Sequence, residues 1–522
     1  MKYFLPIIAL LLLLNYSCKP TDDFDTSSDI ELGFSLDTLR FDTVFTELGS
    51  ATRILKVYNP KKKDIQISRI SIKNDPGSFF RINVDGIAGN VATDVEIAGN
   101  DSLYIFAEVT IDPDNPLSIS PFVIEDYLVF EINGNTQELL MEAWGQNANY
   151  VPSRFGAGET RGFNCDSLTP GALDDFFDDP KPYVFYGTFV FQNCDITIPA
   201  GTQIYVHGGI AAQVDAQNMR TFINDGRLIF VNSDLNVLGE QGNPVVFQGD
   251  RLEESFQDIP GQWWGVYILY DPQVSPQQGT HHIQHAEIKN SIFGVIVDST
   301  NLNLESTKIY NTSNAGLVGL SGNVDATNCL FYNNGANNVR ILKGGDYNFT
   351  YCTLASYGVE SSALSMSNVL CFDPLTCDPC IEHPLDAKFF NSIIFGSKRD
   401  EISLEDFDGC DPGKSSPLNY EFRKCIVRVD QLLEQEDFEN FFSSQDNCDP
   451  CQNADNTDAI FFDPNADDYR LDTLSIAEMW GDNDFGKFPP LSPNVGDQVM
   501  FDIDGNERDS NSPDVGCYEY QY

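Results

Sequence analysis

Four triplets of alternate positions run through the middle of the chain: Ala286-Ile288-Asn290, Thr307-Ile309-Asn311, Cys329-Phe331-Asn333 and Cys352-Leu354-Ser356. Their third members fall at 290, 311, 333 and 356, so the steps are 21, 22 and 23 residues. Two further columns keep this spacing, since Leu302 to Val324 and Leu317 to Val339 are each 22 residues. A repeat of that length, built of short β-runs, suits one coil of a parallel β-helix, in which strands rising ~3.3 Å per residue alternate with turns until the rung closes. Alternate residues then point into the stack, so Ile288, Ile309 and Phe331 should lie over one another. Asn290, Asn311 and Asn333 should stack at a turn with their amides bonding along the column. A leucine-rich repeat shares the period but needs several leucines at fixed offsets and a helical or 3-10 half.

The same alternation returns at Ser392-Ile394-Gly396 and Cys425-Val427-Val429 after longer gaps, which read as loop insertions carrying Cys371, Cys377, Cys380 and Cys410. Upstream, Lys181 to Val184, Ile196 to Thr202, Gly226 to Leu228 and Gly239 to Phe247 read as short strands joined by Gly and Pro turns. These strings, with Gln262-Trp263-Trp264-Gly265-Val266, Asp468-Tyr469-Arg470-Leu471, Asp502 to Asn506 and Pro513 to Tyr520, resemble in their order the right-handed β-helix proteins of Bacteroidetes. The resemblance implies a right-handed coil, which is also the general preference of parallel crossovers. A β-helix exposes its end strands and needs caps. Residues 193–430 are therefore assigned to the coil, 149–192 to a linker and N-terminal cap, and 431–522 to a C-terminal cap.

Between Ile30 and Gly145 the pattern changes to period-two alternation, as in Leu103-Ile105-Ala107-Val109-Ile111 and Leu128-Phe130-Ile132, broken by Asn-Pro, Asp-Pro-Gly and Asn-Gly turns. Such half-buried antiparallel strands suit a β-sandwich over 31–148. Their order resembles the immunoglobulin-like domains that precede repeats in bacterial surface proteins. The fold class is thus all-β: an N-terminal immunoglobulin-like β-sandwich, then a right-handed parallel β-helix with a C-terminal cap.

At the start of the chain, Lys2 precedes an apolar run from Phe4 to Leu14, too short to span a bilayer as a helix, and then Asn15-Tyr16-Ser17-Cys18. Residues 1–17 read as a signal peptide, and Leu14 to Cys18 resembles a bacterial lipobox, although Asn15 replaces the usual leucine. The resemblance implies lipidation of Cys18 and a membrane partner through that anchor. Residues 18–30 form an acidic tether resembling the surface-export signals of Bacteroidetes lipoproteins, which implies an outer-membrane lipoprotein exposed at the cell surface.

The net charge of −47, from 78 acidic and 31 basic residues, excludes nucleic acid as a partner and leaves structural calcium compatible. Setting Cys18 aside leaves twelve of thirteen cysteines, an even number that suits disulfides in an exported protein. Cys165 and Cys194 make a plausible clasp across a domain junction. The strings Cys377 to Cys380 and Cys448 to Cys451 read as disulfide residues in preference to a four-cysteine zinc site.

Chemistry is sparser. Lyase action needs carboxylates holding calcium beside a base, whereas outward Glu287, Lys289, Lys308 and Tyr310 form a mixed row. The Val206-His207-Gly208-Gly209 and Asn456-Thr457-Asp458 strings match only fragments of the polygalacturonase pattern. His281, His282 and His285 read as a polar turn more readily than as a metal site. Asp502, Asp504 and Asp509 lack the acid that closes an EF-hand, since Pro513 stands there, and read as a structural turn. Trp263, Trp264 and Tyr267 are candidates for stacking on a sugar, with alternation turning one tryptophan inward. No catalytic residue, metal ligand or cofactor is assigned. The sequence favours a membrane-anchored surface module that binds glycan or a cell-surface protein, or serves as a scaffold. Its rival is a polysaccharide lyase or hydrolase of the pectin-degrading β-helix type.

Overall fold

The computed structural model describes residues 24–41, 52–110, 123–144, 148–151, 161–208, 210–214, 220–224, 226–252, 257–373, 376–407, 409–410, 416–436, 438–442, 447–448, 450–482 and 499–521, with backbone alone for 210–214 and 220–224. The expected signal peptide, Cys18 and the start of the expected tether lie outside these residues. Strands dominate, and the only helices among the described residues are three 3-10 turns. The chain forms two compact units, residues 1–116 with 123–146, and 117–122 with 147–522.

In the first unit two five-stranded sheets hold ten short strands between Gly33 and Trp144. All neighbours are antiparallel except Thr38–Arg40, which runs parallel to Asn135–Trp144. The alternation read from the sequence sets the core: Leu103, Ile105, Ala107 and Val109 of the strand Ser102–Val109 are buried, with exposed residues between. They meet Leu128, Phe130 and Ile132 in one apolar cluster, giving the sandwich of the immunoglobulin-like type. Ile111, expected to extend this strand, lies outside the described residues.

The second unit is a right-handed parallel β-helix. Ile288 pairs in register with Ile309, Ile309 with Phe331, Phe331 with Leu354 and Leu354 with Ile394, and none of the five is exposed. Leu302 over Val324 and Leu317 over Val339 form the other inward columns. Aromatic rings continue the stack, Phe349 on Phe389 at 4.8 Å between centroids and Phe389 on Phe422 at 4.7 Å. Each such side chain removed from water contributes about 1.5–3 kcal/mol, so the repeated columns are the main source of stability.

The corners are single residues in the left-handed region. One corner is occupied by His285, Ser306, Asn328, Tyr351, Asn391 and Lys424, with φ between 44° and 55°. Each is followed by a small inward residue: Ala286, Thr307, Cys329, Cys352, Ser392 and Cys425. In all but Ala286 the hydroxyl or thiol of this residue donates back to the carbonyl two positions earlier, as Thr307 does to Glu305 and Cys329 to Thr327. The other corner carries Asn290, Asn311 and Asn333, again at positive φ. Asn311 Nδ2 donates to Asn290 Oδ1 at 2.7 Å, whereas Asn333 has turned away to Asp467 Oδ1. The expected asparagine ladder therefore joins its first two members, and the third is recruited by a later segment.

Parallel pairing begins at Asn149–Val151 and ends at Cys451–Asn453, so the rungs extend on both sides of 193–430. Their N-terminal end is plugged by Leu168, Leu173, Phe176 and Phe177, packed on Phe163, Phe189 and Phe191. The Cys165–Cys194 bridge joins this plug to the coil. At the C-terminal end Leu432, Phe438 and Phe441 close the interior over Phe422. The remainder of the expected C-terminal cap does something else. Ile460, Phe461, Tyr469, Leu471, Val515 and Tyr518 lie along the side of the coil against outward-facing Leu330, Ile393, Phe395 and Ile426.

Eight cysteines form four bridges: Cys165–Cys194, Cys371–Cys377, Cys380–Cys410 and Cys448–Cys451. The even count of twelve does not extend to pairing throughout, because Cys329, Cys352, Cys425 and Cys517 are buried thiols. Three of them occupy the small-residue corner column, where a thiol serves as a compact donor to the backbone.

Candidate functional site

The β-helix has three faces with different outer surfaces. The first is the eleven-stranded sheet from Asn149–Val151 to Cys451–Asn453. Its later rungs are sealed by the C-terminal segment. The segment is fastened by Arg508, which donates to Asn328 Oδ1 and Gly516 O, both at 2.9 Å, pairs with Glu519 at 3.3 Å and lies over the Tyr351 ring. Asp502 is consumed in the same knot, accepting from the backbone N–H groups of Asp504, Asn506 and Glu519 and from the Asn506 side chain. The acidic string is thus a structural turn.

Where the segment leaves this face, two clefts share Asp504. One, of about 210 Å³, is lined by Glu240, His285, Glu287, Lys308 and Asp504. The other, of about 490 Å³, is lined by Phe462, Arg470, Asp504, Tyr518 and Tyr520. Several of their polar groups have partners: Lys308 Nζ lies 3.7 Å from Asp504, Tyr310 donates to Glu287 at 3.1 Å, and Arg470 grips Asp468. Burial, reinforced by the Glu287 carboxylate, pushes the Tyr310 hydroxyl up and keeps it a donor.

On the second face the tryptophans separate as alternation requires. Trp263 is wholly buried in the coil, its Nε1 donating to Lys289 O at 2.9 Å, so it is out of reach of any ligand. Trp264 points outward beside Tyr267 and Phe293, and together they shield Ile296 and Val318. The Arg227 guanidinium sits over the Trp264 ring at 4.7 Å. Tyr267 donates to Asp298 Oδ2 at 2.9 Å.

The three histidines also diverge. His281 faces inward with neither ring nitrogen hydrogen-bonded, and burial pulls its imidazole down to about 4, leaving it neutral. His285 is a corner residue. His282 faces outward, its Nε2 2.9 Å from Gln284 Oε1.

His282 stands on the third face, and there the outward positions are polar on rung after rung. In-register pairing aligns His282, Asn303, Asp325, Asn348, Lys388 and Glu421 in one column. A second column aligns Thr280, Asn301, Asn323, Asp346, Asp386 and Asn419. Leu302, Leu304, Val324, Ala326, Tyr347 and Phe349 alternate with them and fill the interior. The two columns are open or half-open to solvent. Neighbouring rungs are ~4.8 Å apart, so amides and carboxylates repeat at that spacing. The Asn323 amide lies between Asn301 and Asp346: turned one way its Nδ2 donates to Asn301 Oδ1 at 2.7 Å, and turned the other way to Asp346 Oδ2 at 3.2 Å. Asn348 Nδ2 donates to Asp325 Oδ1 at 3.0 Å. Burial pushes the Asp325 carboxyl up, against this hydrogen bond, and burial does the same to Glu305 on the flanking column.

Sequence reasoning tested the Ala286 strand and passed over this face. The signal was present, since Asn301-Leu302-Asn303-Leu304-Glu305 and Asn323-Val324-Asp325-Ala326-Thr327 repeat at 22 residues. The apolar half of each strand was read and the polar half was not.

No protein-family model matches the chain, and no curated protein matches it. Among solved structures, the catalytic unit of a thermostable GH87 α-1,3-glucanase from Streptomyces thermodiastaticus strain HF3-3 is similar over 72% of this chain and 84% of its own, at 10% identity and a TM-score of 0.17. A likeness of that size carries no functional argument.

Proposed function

We propose that this chain is a lipid-anchored surface protein whose β-helix binds an extended glycan along its polar face. The observation that carries the reading is the pair of solvent-open columns from Thr280 and His282 to Asn419 and Glu421, a regular array of amide, hydroxyl and carboxylate groups on a rigid sheet. Polar groups held by in-register pairing lose little freedom on binding, which favours recognition of a repeating, hydroxyl-rich polymer. The resemblance to Bacteroidetes lipoproteins supports anchoring through Cys18 and display at the outer membrane. Calorimetry and a glycan array with soluble protein lacking residues 1–18 test the binding. The variant Asn303→Ala should lose about fivefold in affinity, from a hydrogen bond to the ligand worth ~1 kcal/mol, with an unchanged unfolding midpoint. Equal binding by the variant refutes the reading. For the anchor, Cys18→Ala should move the protein from the membrane fraction to the soluble one.

A second reading, hydrolysis, is favoured by one observation. Asp346 pairs with Asn323, two residues from Asp325, which puts the Asp325 and Asp346 Cα atoms about 8 Å apart from the strand spacing and rise. Inverting glycosidases likewise set two carboxylates on one surface, with ~6.5–9.5 Å between the carboxyl groups themselves. New reducing ends released from a bound glycan, and lost in Asp325→Asn, would favour catalysis over binding alone.

A further inference from the structure

We infer that the polar face selects glycans without carboxylate or sulfate groups, an inference that rests on the glycan-binding reading. Recognition of an acidic polymer needs ammonium or guanidinium donors facing the ligand. Among the described residues of the two columns and of the flanking column from Gln284 to Arg423, the Lys and Arg side chains are Lys388 and Arg423, and both are held: Lys388 Nζ lies 3.1 Å from Asp386, and Arg423 pairs with Glu421. The acids farther along the columns are held by neutral donors. Asp325 accepts from Asn348, Asp346 neighbours Asn323, and Asp234 accepts from the Thr280 backbone N–H at 2.6 Å. A neutral donor satisfies a carboxylate oxygen and leaves its charge in place.

A polyuronate laid on the columns would therefore meet uncancelled carboxylates every few rungs, within a chain of net charge −47. Sugar hydroxyls, by contrast, find acceptors in Asp325 and Asp346 and both donors and acceptors in Asn301, Asn303 and Asn323. Like charges facing one another across an interface weaken it and do so less as salt rises. The pectin-type polymers named as the rival substrate are thus the ones this surface repels.

The test measures binding of soluble wild-type protein to a neutral glucan or mannan, to chitosan, and to polygalacturonate and chondroitin sulfate, in EDTA so that calcium cannot bridge carboxylates. The neutral polymer or chitosan should bind at least about tenfold tighter than either acidic one. Raising salt should narrow the gap between neutral and acidic polymers. Asp325→Asn/Asp346→Asn should raise the ratio of polygalacturonate to neutral-glycan affinity about tenfold. Polygalacturonate or chondroitin sulfate binding as tightly as the neutral polymer overturns the selectivity while leaving glycan binding intact. Failure of all four polymers to bind removes the binding reading itself, and the selectivity with it.

Discussion

Arg508→Met should free the C-terminal segment from the side of the coil without unwinding the rungs beneath. The Arg508 and Glu519 side chains are 3% and 7% exposed, so their ion pair is buried. Removing one partner of a buried pair costs ~3–5 kcal/mol, because the survivor's charge is left uncompensated. Two features place this case near the lower end. Glu519 keeps the backbone N–H groups of Asp509 and Asp514, and burial already pushes its carboxyl up so that it can take a proton. Methionine also preserves much of the apolar stem over Tyr351. A cost of about 3 kcal/mol corresponds to roughly 150-fold in the opening equilibrium. Hydrogen exchange resolves it by region. The amides of Ile503, Val515 and Cys517, which bond to Cys517 O, Ala477 O and Thr353 Oγ1, should exchange about 150-fold faster. Those of Ile309 and Phe331 in the coil should change by no more than a few-fold. Adding Glu519→Gln should recover part of the loss. Unchanged exchange in the segment would show that its apolar contacts hold it unaided, and equal acceleration in the coil would show that the two open as one.

The remaining predictions concern the coil. Glu401 is fully buried, accepting from the Ala363 and Lys398 backbone N–H groups, and burial pushes its carboxyl up from 4.5 to about 7. The native state then binds the proton more tightly than the unfolded chain, so this group's contribution falls as pH rises between those values, by up to about 3 kcal/mol. Urea midpoints at pH 4.5 and 7.5 should show the wild type losing that much relative to Glu401→Gln, and a pH-independent difference rejects the assignment. Cys329, Cys352, Cys425 and Cys517 should resist alkylation in the native protein and yield four labels in urea without reductant, with eight more appearing after reduction. Asn311→Ala should cost about 2–3 kcal/mol in urea unfolding, from the lost amide bonds to Asn290 and Asp258 plus the left-handed φ of 54°, and Asn311→Gly should recover about 1 kcal/mol of it. Equal midpoints for the two variants would remove the backbone part of that account.

The coil was legible because in-register parallel stacking makes a three-dimensional neighbour recur at a nearly fixed sequence step. Ile288, Ile309 and Phe331 obey it, as do the tryptophan alternation and the Asn290–Asn311 contact. The lateral role of the C-terminal segment was not legible. Asn328 meets Arg508 across 180 residues and Asn333 meets Asp467 across 134, contacts that have no period to betray them. The four thiols were not legible for a related reason: parity counts cysteines without asking whether the corner column needs a small buried donor. The polar face lay in the same register as the core, one residue out of phase, and was hidden only by attention to apolar positions.

What distinguishes the candidate binding face is the chemistry of its outward positions. On the eleven-stranded sheet the later rungs turn Leu330, Ile393, Phe395 and Ile426 outward, and apolar surface of that kind demands a cover, which the C-terminal segment supplies. On the second face Ile296 and Val318 demand one too, and Trp264, Tyr267 and Phe293 provide it locally. The columns from Thr280 to Asn419 and from His282 to Glu421 turn no large apolar side chain outward, so burial beneath another part of the chain would bring no hydrophobic gain and would strip water from a row of amides and carboxylates at several kcal/mol each unless every one were re-paired. A partner that satisfies such a row must carry hydrogen-bonding groups at comparable density, as a hydroxyl-rich polymer does. On the glycan-binding proposal, that requirement, set by desolvation, is one that a polysaccharide would meet.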